Sequence, residues 1–166
     1  MTEVRIPLVD QLGAPFAETR VTLWLPCHGG GALGFLDAVG ANGYDPETVL
    51  IAYGTNDFVN RPSPEELREN CAAYLDKVKT LYPNVPIFVI TPIPRHDPEE
   101  RNAGTFEWVR KTVAEEAAAR GLHVIDGFSL FPFDEYYFWD RVHPNEAGFA
   151  EYAFALIPEM QKVLHW

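Results

Sequence analysis

The chain has 166 residues, of which 47% are hydrophobic and 22% are charged, as is typical of a globular protein with a proper core. Its net charge of −11 argues against nucleic acid as a partner and disfavours docking on anionic membranes. No apolar run approaches the length of a membrane span, and the polar start Met1–Arg5 lacks the apolar stretch of a signal peptide. We therefore expect residues 1–166 to form one domain. From the sequence as given we expect a cytoplasmic protein, and secretion stays an alternative if the true start lies upstream.

The two cysteines of the chain carry little information about function. Cys27 and Cys71 have neither the spacing of a metal site nor the density of a disulfide scaffold. We expect both to be reduced thiols.

The first 45 residues show weaker patterns than the rest of the chain. Arg5–Val9 and Val21–Leu25 have the composition of strands, and a short helix follows at Leu33–Val39. The connection formed by residues 10–20 is barely as long as the shortest parallel crossover, about 10–12 residues. It therefore leaves no room for a full helix between the two strands, and the structure of residues 1–20 stays open.

The remainder alternates between apolar runs and helical patterns. The predicted strands are Val49–Tyr53, Ile87–Thr91 and Leu122–Ile125. The predicted helices start at Ser63 and end near Pro83, run from about Thr105 to Arg120, and start near Asn145. This alternation is typical of βα units in a parallel sheet with helices on both faces.

Helical periodicity also predicts which side chains face the core. In the helix after Ser63 they are Leu67, Cys71, Tyr74, Leu75 and Val78. In the last helix, where Pro158 is expected to introduce a kink, they are Phe149, Tyr152, Ala153, Leu156 and Ile157.

Two short motifs carry most of the functional information. Gly54–Asp57 follows an apolar strand and would display the Asn56 amide at the carboxyl edge of the sheet, where open α/β folds bind ligands. Asp140–Pro144 sets a carboxylate three residues before an imidazole, and such a carboxylate can hold a histidine base in one tautomer. Each motif alone is more often an ordinary turn. Their combination predicts the parts of an acyl-transfer site.

The two motifs resemble the third and fifth sequence blocks of the SGNH (GDSL-type) esterases and lipases. The third block corresponds to Ile51–Asp57 and the fifth to Asp140–Gly148, while Ile87–Pro94 and Val124–Asp126 are similar to the family's fourth and fifth strands. The resemblance covers about Leu23 to Leu164. It implies a three-layer α/β/α fold with a mostly parallel, flavodoxin-like sheet of four or five strands, in which the first strand lies in the middle.

The resemblance also assigns roles to individual residues. It implies that His143 is the general base, that Asp140 orients it, and that Asn56 donates to the oxyanion. The family's second block supplies a backbone N–H from a glycine, and Gly29, Gly30 and Gly31 are the candidates here, with Gly30 favoured. The same three glycines would equally suit a flexible turn. No metal or organic cofactor is implied.

The family's first block, which carries the nucleophilic serine, has no counterpart, because Gly-Asp-Ser occurs nowhere in the 166 residues. The nearest segment by position is Val9–Gly13, which has Gln11 where the serine belongs. The nucleophile therefore stays unknown. Cys27 is a candidate that is more often a packed thiol, Ser129 follows the wrong strand, and Ser63 is better explained as a helix cap.

We therefore expect an SGNH-type hydrolase acting on carboxylic esters, with its competence in question and its substrate undefined. The alternative is a catalytically inactive SGNH-like domain that binds an ester or sugar or packs against a partner. His28–Gly31 also resembles the oxyanion loop of α/β-hydrolase lipases, but their Gly-x-Ser-x-Gly elbow is absent from the sequence. If Arg5–Val9 does not fill the central slot of the sheet, its neighbours either close up or expose edges that favour homo-oligomers.

Aromatic residues crowd the approach to Asp140, and two explanations for them stay open. They would either line an apolar or sugar-stacking cleft or pack in the core. The residues are Phe128, Phe131, Phe133, Tyr136, Tyr137, Phe138 and Trp139.

Overall fold

The structure, a computed structural model, describes residues 4–5, 21–26, 32–43 and 45–164. The strands within these residues are β1 (Val4–Arg5), β2 (Val21–Pro26), β3 (Thr48–Ala52), β4 (Ile87–Ile90) and β5 (His123–Ile125). The α-helices are α1 (Ala32–Ala41), α2 (Thr55–Asn60), α3 (Pro64–Leu81), α4 (Phe106–Ala119) and α5 (Glu146–Leu164). Two short 3-10 helices, Gly127–Ser129 and Glu135–Tyr137, lie between β5 and α5.

The strands form one mostly parallel sheet in the order β1-β2-β3-β4-β5. β1 is antiparallel to β2, and the other three pairs are parallel, with Leu23 opposite Val49 and Val89 opposite Val124. The sheet and the helices around it confirm the predicted α/β class.

One implied detail of the sheet is wrong. The first strand was expected in the middle, whereas β1 lies at the edge and β2 pairs directly with β3 over Thr22–Pro26. The two strands that were expected to flank the first strand thus pair directly, because the backbone N–H and C=O groups of strands inside a sheet must find partners. Residues 6–9 of the strand predicted at Arg5–Val9 lie outside the described residues.

The two faces of the sheet contribute to separate hydrophobic clusters, since successive side chains of a strand point to opposite sides. Val49 and Ile51 pack with residues of α1, α3 and α4, whereas Leu50 packs with residues of α5. Phe88 and Ile90 of β4 join the α5 cluster. Helices therefore cover both faces, and the expected three-layer arrangement is confirmed.

Helix α3 follows its sequence signals closely. Ser63 caps it by accepting a hydrogen bond from the backbone N–H of Glu66 at 3.2 Å, and Pro64 occupies its first turn. All five side chains predicted to face the core are buried. Because a capping signal and a 3.6-residue period are local properties, both can be derived without knowledge of the fold.

The buried face predicted for α5 is partly wrong. Tyr152 and Leu156 are buried as expected, but Phe149, Ala153 and Ile157 are exposed. The buried stripe instead consists of Gly148, Tyr152, Leu156 and Met160, which repeat every four residues. The helix is apolar on more than one side, so its sequence period alone does not define the face that meets the sheet. Pro158 lies inside the helix.

Within the ranges described above, no helix combines the length and the apolar character needed to cross a bilayer.

Candidate active site

The loop that joins the second 3-10 helix to α5 brings Asp140 and His143 into direct contact. Oδ2 of Asp140 lies 2.8 Å from Nδ1 of His143. Its other oxygen, Oδ1, accepts the backbone N–H groups of Val142 at 2.6 Å and of His143 at 2.7 Å. The three-residue spacing thus lets one carboxylate shape the turn and orient the imidazole at the same time.

The ionisation of Asp140 determines which ring nitrogen of His143 carries the proton. The hydrogen bonds from the His143 side chain and from the two backbone N–H groups lower the pKa of Asp140 to about 2. Asp140 is therefore ionised at ordinary pH and can only accept, so Nδ1 of His143 carries the proton. The lone pair of Nε2 is left available on a side chain that is 75% exposed. Such an imidazole can accept a proton from a reactant.

Backbone hydrogen bonds hold this loop against the segment before it and the helix after it. The N–H of Trp139 donates to the carbonyl of His143 at 2.8 Å, and the N–H of Asn145 donates to that of Tyr137 at 2.9 Å. Asn145 Oδ1 accepts the N–H of Gly148 at 2.9 Å and so caps α5. A Cβ at Gly148 would lie 2.4 Å from the Tyr137 carbonyl oxygen, so this close approach requires glycine.

Asn56 lies at the carboxyl edge of the sheet, as its motif predicts. β3 ends at Ala52, Gly54 turns the chain, and Asn56 is an exposed residue in the first turn of α2. Gly54 has φ of 106°, and its carbonyl accepts the N–H of Phe58 at 2.8 Å. The turn that presents Asn56 therefore depends on a backbone conformation that L side chains rarely adopt.

Replacing Gly54 with Ala is expected to lower the free energy of unfolding by about 1–3 kcal/mol, the typical cost of a residue held in a strained conformation. The new Cβ would also lie 2.9 Å from Pro92 Cγ. Urea denaturation measures the loss, and Gly43→Ala is a control with positive φ but no atom within 4 Å of the new Cβ. Equal stability of Gly54→Ala and the unmutated chain would contradict this account of the turn.

A buried ion pair supports α2 from inside. Asp57 Oδ1 accepts from Arg61 Nε at 3.0 Å and from the Tyr53 hydroxyl at 3.2 Å. Asp57 is 1% exposed and Arg61 is 8% exposed. The pair joins the first turn of the short helix that carries Asn56 to the residue that caps its C-terminus.

The loop after β4 connects the two halves of the site. Nη1 of Arg95 donates to the carbonyl of Thr55 at 3.3 Å, and the N–H of the next residue, His96, donates to the carbonyl of Arg141 at 2.7 Å. Arg141 in turn donates from Nη2 to the His96 carbonyl. Arg95 is itself fixed by Asp97, with Nε–Oδ1 at 2.5 Å and Nη2–Oδ2 at 2.9 Å. Two consecutive residues thus contact the neighbours of Asn56 on one side and of His143 on the other.

The sequence did not indicate this connection. From its sequence, the Pro- and charge-rich loop that carries His96 is expected to be solvated, with the rim of a substrate cleft as the alternative. In the structure His96 is half buried, and its ring stacks on that of Phe133 at 4.3 Å and lies edge-on to that of Phe138 at 4.7 Å. The available sequence signal is the stiff segment Pro92–Pro94, which restricts where the loop can go after β4.

The serine candidates for the nucleophile have structural roles. Ser63 caps α3, and the Ser129 hydroxyl donates to the carbonyl of Asp126 at 2.7 Å. Cys71 is a free thiol that lies in the core, where burial raises its pKa and suppresses its reactivity. The candidates Cys27 and Gly29–Gly31 lie outside the described residues.

The sequence of this chain is similar to a known protein family. The model of the GDSL-like lipase/acylhydrolase family matches residues 6–150. No curated protein matches the sequence significantly.

Several solved structures share the fold. The inhibitor-bound aryl esterase of M. smegmatis is 17% identical, with a TM-score of 0.65 over 80% of this chain and 68% of that chain. A member of the lipolytic G-D-S-L family from Veillonella parvula is 17% identical, with a TM-score of 0.64 over 84% of this chain and 75% of that one. A salicylyl-acyltransferase of a tetracycline biosynthetic pathway is 16% identical, with a TM-score of 0.65 over 91% of this chain and 57% of that one.

At these identities the structural likenesses show the fold alone. The family model covers most of the chain, and its match includes the Gly54–Asp57 and Asp140–Pro144 motifs. The chain therefore belongs to the GDSL-like lipase/acylhydrolase family, the SGNH hydrolases.

Proposed function

We propose that this chain hydrolyses carboxylic esters of small molecules, with His143 as general base and Asp140 as the residue that orients it. The observation that carries the proposal is the 2.8 Å contact between Asp140 Oδ2 and His143 Nδ1. It supports a single tautomer with Nε2 free to accept a proton. A base positioned in this way typically contributes 10²–10⁴-fold to a rate.

The reaction needs a nucleophile, and we propose that water serves. Nε2 of His143 takes a proton from the water as its oxygen bonds to the ester carbonyl carbon. The resulting oxyanion accepts hydrogen bonds from the Asn56 amide and the Gly30 N–H. When the bond to the alcohol oxygen breaks, His143 returns the proton to that oxygen, so that ester and water yield acid and alcohol.

Two observations favour water as the nucleophile: the sequence has no Gly-Asp-Ser block, and the serines that it does contain have structural roles. No Gly-Asp-Ser occurs in the 166 residues, and Ser63 and Ser129 already make the structural hydrogen bonds described above. A site that lacks its nucleophile retains roughly 10³–10⁴-fold catalysis over water in other triad enzymes. We therefore expect slow turnover without accumulation of an acyl-enzyme.

Hydrolysis of p-nitrophenyl acetate by the purified chain tests this proposal. A slow, linear release of p-nitrophenol above the uncatalysed rate is expected. A rapid burst that a serine-directed organophosphate abolishes would refute the water mechanism and point to a serine. A burst that iodoacetamide blocks would instead identify a cysteine, with Cys27 the first candidate.

Replacing Asn56 with Ala is expected to reduce the hydrolysis rate by about 10²–10³, as removal of one oxyanion donor does elsewhere. The loss should fall on kcat, because the amide would bind the oxyanion more strongly than the carbonyl of the substrate. Steady-state kinetics with p-nitrophenyl acetate measure it. Asn60→Ala is the matched control, since Asn60 is an exposed residue of the same helix. An equal effect of both substitutions would contradict the assignment to Asn56.

The second candidate is an SGNH-like domain that binds an ester or sugar without turning it over, and the missing serine block favours it. This candidate predicts no hydrolysis above that of the His143→Ala variant.

Oligomerisation is a proposal that size-exclusion chromatography with light scattering tests.

A further inference from the structure

Arg95, in the loop that follows β4, is a buried arginine. Its side chain is only 4% exposed. The guanidinium lies over the ring of Phe58 in α2 at 5.1 Å and over the ring of Phe106 in α4 at 5.6 Å. The two rings also contact each other, with their centroids 5.0 Å apart. The guanidinium therefore packs against the helix that carries Asn56 and against α4.

Hydrogen bonds determine the direction in which this guanidinium points. Nε and Nη2 of Arg95 donate to the two oxygens of Asp97 at 2.5 and 2.9 Å, which is a bidentate contact. The hydrogen bonds from Arg95 also lower the pKa of Asp97, so this carboxylate is ionised at ordinary pH. The third nitrogen, Nη1, donates to the carbonyl of Thr55 at 3.3 Å. Because a guanidinium is planar and rigid, its contact with Asp97 directs Nη1 at the residue before Asn56.

Stability alone does not require an arginine at this position. Removing a guanidinium from water is costly, and a buried ion pair can often be replaced by apolar side chains of similar volume without loss of stability. The rings of Phe58 and Phe106 would pack against such an apolar side chain equally well. The hydrogen bond to the Thr55 carbonyl is the contact that an apolar side chain cannot supply.

The next residue of the same loop holds the other half of the site. The N–H of His96 donates to the carbonyl of Arg141 at 2.7 Å, and the Arg141 side chain donates to the carbonyl of His96. Arg141 lies between Asp140 and His143 in the sequence. Arg95 and His96 therefore attach the turn before Asn56 and the loop of the proposed base to one short segment of chain.

We propose that Arg95 is a positioning residue that fixes the Asn56 amide relative to Nε2 of His143. This inference rests on the proposed ester hydrolysis, and Arg95 acts in it through its contacts with Thr55 and Phe58. Oxyanion donors are effective because they are held in place before the charge develops. Without Arg95 the first turn of α2 would be free to shift, whereas the Asp140–His143 contact would remain.

Arg95→Met is expected to lower kcat for p-nitrophenyl acetate by about 10–100-fold, because a displacement of about 1 Å in a catalytic group can cost as much as about 10²-fold. KM should change little, since the oxyanion forms only in the transition state. Arg95→Lys is a second variant that keeps the charge beside Asp97 and should therefore fold. An ammonium group lacks the planar fork that joins Asp97 to Thr55, so its kcat should also fall.

Arg120→Met is the matched control. Nε and Nη2 of Arg120 donate to the two oxygens of Asp76 at 2.8 and 2.9 Å, and Nη1 donates to the carbonyl of Glu116 at 2.9 Å. These are the same kinds of bond that Arg95 makes, but Arg120 caps the C-terminus of α4, just before the chain enters β5. Its replacement should leave kcat unchanged. An equal loss of kcat in this control would show that the contact of Arg95 with Thr55 is not the cause.

NMR signals of the Asn56 side-chain amide test the position of this group in the full chain without any turnover. They are assigned with the Asn56→Asp variant. The signals are expected to shift in both Arg95 variants and to stay in place in Arg120→Met. Thermal unfolding verifies that each variant folds.

The outcomes separate this inference from the proposed function. A folded Arg95→Met variant with the kcat of the unmutated chain, or with unmoved Asn56 signals, would overturn the positioning role even if hydrolysis depends on His143. Failure of both Arg95 variants to fold would overturn it as well, because stability would then explain the arginine. Shifted Asn56 signals in a chain whose hydrolysis is insensitive to His143→Ala would support the positioning role while refuting the hydrolytic mechanism.

Discussion

Replacing His143 with Ala is expected to lower the rate of ester hydrolysis by about 10²–10⁴, the usual contribution of a general base. The variant loses Nε2, the atom proposed to take the proton from the attacking water. It also leaves Asp140 without its 2.8 Å contact to the imidazole, but the two backbone N–H donors to that carboxylate remain. The turn is therefore expected to survive, and the loss should appear in kcat rather than in stability. Initial rates with p-nitrophenyl acetate and thermal unfolding measure the two effects.

His123→Ala provides the matched control for this experiment. His123 is also an exposed histidine, but it stands at the start of β5, away from the carboxyl edge of the sheet. Its replacement should leave the rate unchanged. Asp140→Asn should act in the same direction as His143→Ala, because an amide does not hold the Nδ1–H tautomer as a carboxylate does. A His143→Ala rate equal to that of the unmutated chain would exclude His143 as the base.

Replacing Asp57 with Ala is expected to lower the free energy of unfolding by about 3–5 kcal/mol, the usual cost of removing one partner from a buried ion pair. Arg61 would be left buried with its charge uncompensated by Asp57, since the remaining carboxylate nearby, Glu66, lies 3.7 Å from Nη1 and is half exposed. The Tyr53 hydroxyl would also lose an acceptor. Urea denaturation monitored by circular dichroism measures the change.

Asp37→Ala is the control that separates burial from the mere loss of a carboxylate. Asp37 pairs with Lys77 on the surface and is 67% exposed, so its removal should cost no more than about 1 kcal/mol. Similar losses for the two variants would show that the burial of the Asp57–Arg61 pair has no special energetic consequence.

The helix ends and the Asp140–His143 pair are properties that the sequence determined by itself. Ser63 caps α3 through a backbone N–H three residues away, and Asp140 reaches both the turn and the imidazole within three residues. Such contacts depend on short stretches of backbone whose geometry is set by local chemistry. The alternation of strands and helices, which specifies the α/β class, is equally local.

Only the tertiary structure decided which strands are neighbours. The resemblance to the SGNH hydrolases implied a first strand in the middle of the sheet, but β2 pairs with β3 and β1 lies at the edge. Strand order depends on hydrogen bonds between segments far apart in the chain, and the apolar runs of parallel strands look alike in sequence. A run such as Val21–Leu25 therefore predicts a strand without predicting its partner.

The tertiary structure also decided which apolar residues are core and which are exposed. Phe138 and Trp139 are adjacent and aromatic, but one is buried against Phe131 and the other is exposed beside the proposed base. The hydrogen bonds from Arg95 to Thr55 and between His96 and Arg141 likewise join residues that are 40 and 45 positions apart in sequence. Composition and period specify that a residue is apolar or charged, whereas burial and long-range hydrogen bonds depend on what the rest of the chain places against it.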